Sequence, residues 1–512
     1  MGETTRVDWD AGAIGLPERS AARQFVALLV LITATAQALG VALKAPTQAG
    51  ANDISRWCTV WSLLERGTYA IDECPWVTKT QDKVLRSDKL APPGAEAGAL
   101  TRLEYAIAPR AWKEGEATER LYSSKPPLLP TLIAGVLYPV RAATGVRLDH
   151  LVLQERLPRW KEEPDPDQPG RIEHVLETPK PAEWPAYVLY LKPIVVLLNI
   201  VPMLVMLVLF TRLLDRHAAN EWAWFFSLFA AAWGTYLFAF DQTLNNHTVA
   251  AWSAFLAIYA LVRIVEDGQE ASWYYAMAGW FGGFCATNEI PAALFGLLLF
   301  LVLLVHSPRR TVLAFVPAAA VPIAAFLITQ FLAFGQFTPV YEEFGTRSYE
   351  YEKSYWATPL EMDWYNKHPE PYAVYLFHMT FGHHGVFSLS PIFLFSLWGA
   401  VRLLARRRLA VVAGLTLVLT AAMLAFYAWN PKARNYGGST QGLRWLFWVV
   451  PFWLVTLPAG VEAGQDRKGW RVLTLAALAV SVMSVGYALR SPWSHPWVLD
   501  MMEHLNLLML KR

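Results

Sequence analysis

The residues best suited to chemistry lie in a polar island just after the first apolar segment, at Asp53-Ile54-Ser55-Arg56-Trp57. On a helix, residues three apart share a face, so the carboxylate of Asp53 and the guanidinium of Arg56 point into one space. The same island closes with Tyr122-Ser123-Ser124-Lys125-Pro126-Pro127-Leu128. Proline in a first helical turn leaves out donors that would lack partners there, and a lysine at that point suits a phosphate at a bilayer edge. A proton acceptor beside two fixed cations is chemistry for an enzyme acting on a lipid-linked substrate, more than for a transporter or a scaffold. Plainer readings compete. Asp53 could merely cap a helix with Arg56 meeting lipid phosphates, and Lys125 could merely snorkel to the interface.

Four later islands carry further candidates for substrate contact. Phe240–Thr248 offers Asp241, Asn246 and His247, and packs more polar groups than a simple turn needs. Thr287–Pro291 puts Glu289 at a membrane edge, where an acid is a functional hypothesis by default. Phe381–Gly385 holds His383 and His384, and Asn435–Trp445 holds Tyr436 and a third candidate cation, Arg444. Glycines in these last two islands permit close backbone approach. Adjacent histidines point different ways on a helix, so a metal there is the minor reading; no cofactor is called for, and a divalent metal stays open. The aromatic and acidic run Tyr341–Trp364 could line an acceptor groove or simply be a folded surface loop.

Long apolar elements must position these groups. The chain has 512 residues, 54% hydrophobic and 17% charged, against about 25% charged for a soluble domain. The net charge of +2 gives no field to attract nucleic acid. The 23 tryptophans and 20 tyrosines, many at the ends of apolar runs, read as interfacial belts. Spanning candidates fall at residues 24–43, 189–213, 221–240, 247–265, 273–290, 291–305, 311–333, 385–404, 409–428, 442–461 and 471–489. The expected fold is therefore an all-α polytopic membrane protein with about eleven spans. Pro126–Thr144 is ambiguous. If it does not span, nearly all short basic loops fall on one side, whereas if it spans they face outward. It reads accordingly as an interfacial or re-entrant helix.

This topology gives a cytoplasmic N-terminus (1–23), a first span (24–43), a long outer loop (44–187), a helical core (188–333), a second outer loop (334–384) and C-terminal helices (385–512). Within the first loop, Asp53–Arg66 reads as a helix with Asn52 or Asp53 as its cap and Gly67 as its stop, lying on the membrane with one apolar stripe inward. Glu155–Pro185, rich in proline and charge, reads as a solvated insertion. Cys285 reads as a buried small hydrophobe, while Cys58 and Cys74 could pair if their loop faces an oxidising compartment. No internal repeat of fixed period is visible.

These residues resemble the membrane glycosyltransferases of the GT-C type, closest to the group of the lipid A aminoarabinose transferase and the protein O-mannosyltransferases. The resemblance runs over roughly residues 24–305 and rests on Asp53-Ile54-Ser55-Arg56-Trp57 and Lys125-Pro126-Pro127-Leu128. It departs where the group often has Asp-Glu at the first motif, here Asn52-Asp53-Ile54, and an Asp opening the later span, here Asn246 or His247. The first loop is also unusually long. The resemblance implies a sugar donor carried on polyprenyl phosphate and a lipid, glycan or protein acceptor on the periplasmic side of a bacterial inner membrane, with inversion at the sugar. Asp53 would be the general base, and Arg56, Lys125 and Arg444 would bind the donor phosphate. The competing classes are a transporter or flippase of lipid-linked sugars, and an enzyme like an O-antigen ligase or polymerase. The first predicts charges deep within spans, and the second predicts its catalytic weight late in the chain.

Overall fold

The computed structural model describes residues 20–45, 50–87, 119–154, 159–164, 172–177, 182–185, 187–357, 371–429 and 436–507. The described residues are mostly helical, with three two-stranded antiparallel pairs. Among the described residues, eight helices are long and apolar enough to cross a membrane: Ala21–Lys44, Val188–His217, Glu221–Phe240, Asn246–Val265, Pro308–Phe334, Ala410–Trp429, Arg444–Gly464 and Lys468–Ala488. Three apolar helices are shorter, Leu128–Thr144, Ile290–His306 and Ile392–Ala405. A further helix, Ser272–Asn288, packs against Asn246–Val265 and Pro308–Phe334. The expected span at 385–404 begins later, at Ile392, because the chain leaves helical geometry at Ser390 and Pro391 restarts it as the next N-cap.

Helix Asn246–Val265 defines the two ends of the bundle. Its 20 residues span about 30 Å. At its C-terminal end Arg263 pairs with Asp267 at 2.6 Å, and Asp267 also takes Arg216 at 2.7 Å. Arg408 reaches the Arg216 carbonyl at 2.7 Å. The short arginine-rich connections therefore meet at one end. The polar islands meet at the other, around Asn246.

Between the first two long helices lies the element that carries the first motif, Ala51–Arg66. It starts two residues earlier than the sequence suggests. Its N-cap is Gly50, with extended backbone and no side-chain cap bond, so neither Asn52 nor Asp53 caps it. Both sit inside the first turn. The helix stops at Gly67 in the left-handed region (φ 65°), as its sequence predicts.

The single inward stripe is not what forms. Asp53, Ser55, Arg56, Thr59 and Ser62 are buried along with Ile54, Trp57, Cys58 and Trp61, so the helix is enclosed on its polar side as well. The antiparallel pair Lys83–Ser87 and Glu119–Ser123 and the proline-led helix Leu128–Thr144 supply the cover. Glu65, its side chain fully buried, pins the cover in place: it pairs with Arg141 at 2.9 Å and Arg147 at 3.6 Å and accepts from the Leu148 amide at 3.3 Å. The stretch Glu155–Pro185 contains antiparallel pairing that its composition does not reveal. Strand Arg159–Pro164 pairs with Ile172–Glu177, and Leu151–Gln154 with Ala182–Pro185.

Candidate functional site

Serine contacts bring the two halves of the polar island together. Ser55, on the motif helix beside Arg56, donates to the Asp82 carbonyl at 2.5 Å and meets the Ser123 hydroxyl at 2.6 Å. The Ser124 amide donates to the same Asp82 carbonyl at 3.0 Å. The strand leading to Lys125 is thereby fixed against the helix that carries Asp53 and Arg56. Lys125 reaches the Asp82 carboxylate at 3.2 Å, with its own side chain 20% exposed.

Three cations converge from three distant parts of the chain. Arg56, Lys125 and Arg444 all act electrostatically on one another, and Asp82 acts on each of them. Asp53 and Glu289 lie within electrostatic reach of both Arg56 and Arg444. Burial pulls the Arg56 guanidinium down to about 10, with Asp53 and Asp82 opposing the fall. Burial likewise lowers Lys125, opposed by Asp82 and reinforced by Arg444 and Arg56. Like charges gathered in partial burial favour an anion among them.

The far wall comes from the bundle. Asn245 caps helix Asn246–Val265 by accepting from the Thr248 amide at 2.9 Å. That leaves Asn246 and His247, the next two residues, for the site. Asn246 accepts from Arg56 and donates to Glu289 Oε1 at 2.6 Å and to the Asn288 carbonyl at 2.7 Å. His247 Nδ1 also meets Glu289 Oε1. Arg444 lies over the Trp493 ring at 5.1 Å, and that ring is 6.5 Å from His247. Trp493 also packs on the motif helix: a Cβ at Gly50 would stand 2.8 Å from its ring, so the N-cap position tolerates only glycine without a shift.

Other candidates fall elsewhere. Asp241 is buried, its two carboxylate oxygens have no hydrogen-bond partner among the described residues, and burial alone pushes its carboxyl up. It does not join the cations. His383 and His384 lie in a tight turn, not on a helix, and their Nδ1 atoms meet at 2.5 Å. His384 stacks on Tyr436 at 4.3 Å and His383 on His378 at 3.8 Å. Burial and then the neighbouring imidazoles push His384 below the ordinary histidine range. This aromatic cluster adjoins the cations through the loop from Tyr436 to Arg444, where Gly437 and Gly438 have positive φ and lie against the Arg444 side chain. Among the described residues, no three His, Cys, Asp or Glu side chains are placed to hold a metal ion.

Asp82 and Trp493 were not legible as site residues. Asp82 lies in an ordinary polar run, Thr80-Gln81-Asp82-Lys83, with no spacing to mark it. Trp493 sits in Ser491-Pro492-Trp493-Ser494-His495-Pro496, an aromatic and proline-rich segment after the last long helix that could have been placed at the outer end. That segment is anchored by Gln441, which donates to Ser494 Oγ at 2.6 Å and to the His495 carbonyl at 2.8 Å.

No protein-family model, curated protein or solved structure matches this chain.

Proposed function

We propose that this protein is a membrane glycosyltransferase that moves a sugar from a polyprenyl-phosphate donor to an acceptor hydroxyl at the outer face of the membrane. The observation that carries the reading is the convergence of Arg56, Lys125 and Arg444 beside Asp53 at one end of an apolar helical bundle. A phosphate carried on a lipid reaches such a site from the bilayer edge, and fixed cations stabilise it best as it leaves. In this reading the acceptor oxygen bonds to the anomeric carbon and its proton passes to Asp53. The anomeric carbon–oxygen bond to phosphate breaks, and its electrons stay on the departing polyprenyl phosphate. One displacement inverts the sugar.

The fold we propose is of the GT-C type, with about eleven spans once the shorter apolar helices are counted. The arginine-rich end faces the cytoplasm and the cationic site faces the periplasm of a bacterial inner membrane, in keeping with the positive-inside rule. Asn246, His247 and Glu289 line the acceptor side. The test is transfer of labelled sugar in membranes from polyprenyl-phosphate donors. Wild-type transfer lost in Asp53→Asn, with donor binding kept, supports the reading. No transfer from any donor, together with movement of the lipid-linked sugar across vesicles, favours a flippase.

A further inference from the structure

Cys58 and Cys74 are brought into direct contact, with their sulfurs 2.7 Å apart and both side chains buried. Cys58 follows Arg56 on the motif helix. Cys74 sits on the segment that returns from Gly67 toward the strand pair. That segment is strapped down: the Cys74 amide donates to the Ile71 carbonyl at 3.0 Å, and the Ile71 amide to the Leu121 carbonyl at 2.7 Å. Asp72 accepts from the Leu121 amide at 2.9 Å. The two cysteines thus meet because both neighbours of the contact are independently fixed, one by its helix and one by the strand that leads to Lys125.

Lys83 acts electrostatically on Cys58, and its ammonium is held by the Val77 carbonyl at 2.9 Å. Burial, and then the contact with Cys74, push the Cys58 thiol well up, with Lys83 in opposition. The thiolate is the attacking species in disulfide exchange, so the exchange belongs to the stage before the pair is fully enclosed. Once the helix is enclosed, the same burial keeps small reductants away. Cys285 stands apart in helix Ser272–Asn288.

We infer that Cys58 and Cys74 form a structural disulfide in the mature protein, one that locks the loop after the motif helix and so fixes Asp53 and Arg56 against the strand carrying Lys125. The step is a thiol–disulfide exchange with an external disulfide oxidoreductase. The Cys58 thiolate attacks a sulfur of the oxidant's disulfide to give a mixed disulfide. The Cys74 thiolate then displaces the oxidant, leaving one sulfur–sulfur bond in the protein and two thiols, with their protons, on the reduced oxidant. Such a bond persists in oxidising compartments, which agrees with an outward-facing motif loop. The inference does not depend on what the site transfers.

The test uses the full-length protein, isolated from membranes without reductant after acid quenching, then denatured, alkylated with N-ethylmaleimide and mapped by mass spectrometry. The expected result is a crosslinked Cys58–Cys74 peptide lighter by two hydrogens than its two thiol peptides, with alkylated Cys285 as the internal standard and full alkylation only after reduction. N-ethylmaleimide on both Cys58 and Cys74 in the unreduced sample would overturn the inference, as would pairing of either with Cys285. The locking role has its own readout. Wild-type protein should denature at a lower temperature once the bond is reduced, while the Cys58→Ser/Cys74→Ser double variant should not respond to reductant. An unchanged wild-type midpoint after verified reduction would remove that role.

Discussion

Arg56 donates to the amide oxygen of Asn246, a residue 190 positions further along the chain, and so joins the loop motif to the helical bundle. Asn246 is itself held by Glu289 Oε1 at 2.6 Å and by the Asn288 carbonyl at 2.7 Å. An amide whose nitrogen is spent on two acceptors must present its oxygen outward, and that oxygen aims the guanidinium. Arg56 is therefore a cation with a fixed direction, and the residue that fixes it lies in a different polar island.

Asn246→Ala should leave Arg56 present but unaimed. Misplacing a charge that stabilises a leaving group costs about tenfold or more in turnover. Asn246→Asp should cost more, because a carboxylate beside Arg56 competes with the donor phosphate. Steady-state kinetics with a polyprenyl-phosphate sugar distinguishes them, and turnover equal to wild type in both variants would show that the contact is only structural.

The pH profile should report Lys125. Burial lowers its affinity for a proton below that of a free lysine, so the ammonium is lost earlier as pH rises. The alkaline limb of kcat/KM should accordingly fall below the ordinary lysine range. Lys125→Arg should carry that limb to higher pH, since guanidinium stays charged. A limb unmoved by that substitution would assign it to another group.

Asp82 holds Lys125 at 3.2 Å before any donor arrives. Removing its charge in Asp82→Asn should release the ammonium to the donor and lower KM by about tenfold, the equivalent of roughly 1.4 kcal/mol. The same variant should push the alkaline limb lower still, because Asp82 supports the charged form of Lys125. A higher KM would instead give Asp82 a direct part in holding substrate.

The side chain of Glu65 is fully buried, paired with Arg141 and Arg147. Deleting both partners in Arg141→Ala/Arg147→Ala leaves a buried carboxylate without a counter-charge and should cost about 3 kcal/mol of stability. Either single variant should cost less, since one partner remains. Denaturation in detergent with a non-additive double variant is the expected pattern, and simple additivity would mean the pairs act independently.

The sequence carried the helix and the cations further than their surroundings. Helical spacing from Ile54 to Leu64 and the glycine at 67 place the motif helix to within two residues, because those signals are local. Its burial is not local. The cover over Asp53 and Arg56 comes from strands beginning at Lys83 and Glu119 and from a helix beginning at Leu128, and nothing near Asp53 announces them. Asn52 and Asp53 look like caps because both residue types cap helices well, yet Gly50 takes that place where Trp493 presses against the backbone. Asn246 shows the opposite case: seven polar residues from Asp241 to Thr248 mark an island, and a helix cap uses Asn245 and leaves Asn246 and His247 for the site. Asp241 belongs to the same island, but burial, not the cations, governs it.

The most direct test is transfer of labelled sugar from a panel of polyprenyl-phosphate sugars in membranes, wild type against Asp53→Asn. A general base supplies about 10²- to 10⁴-fold, so transfer from at least one donor should fall by that factor in the variant while donor binding is retained. Undiminished transfer by Asp53→Asn would contradict the account.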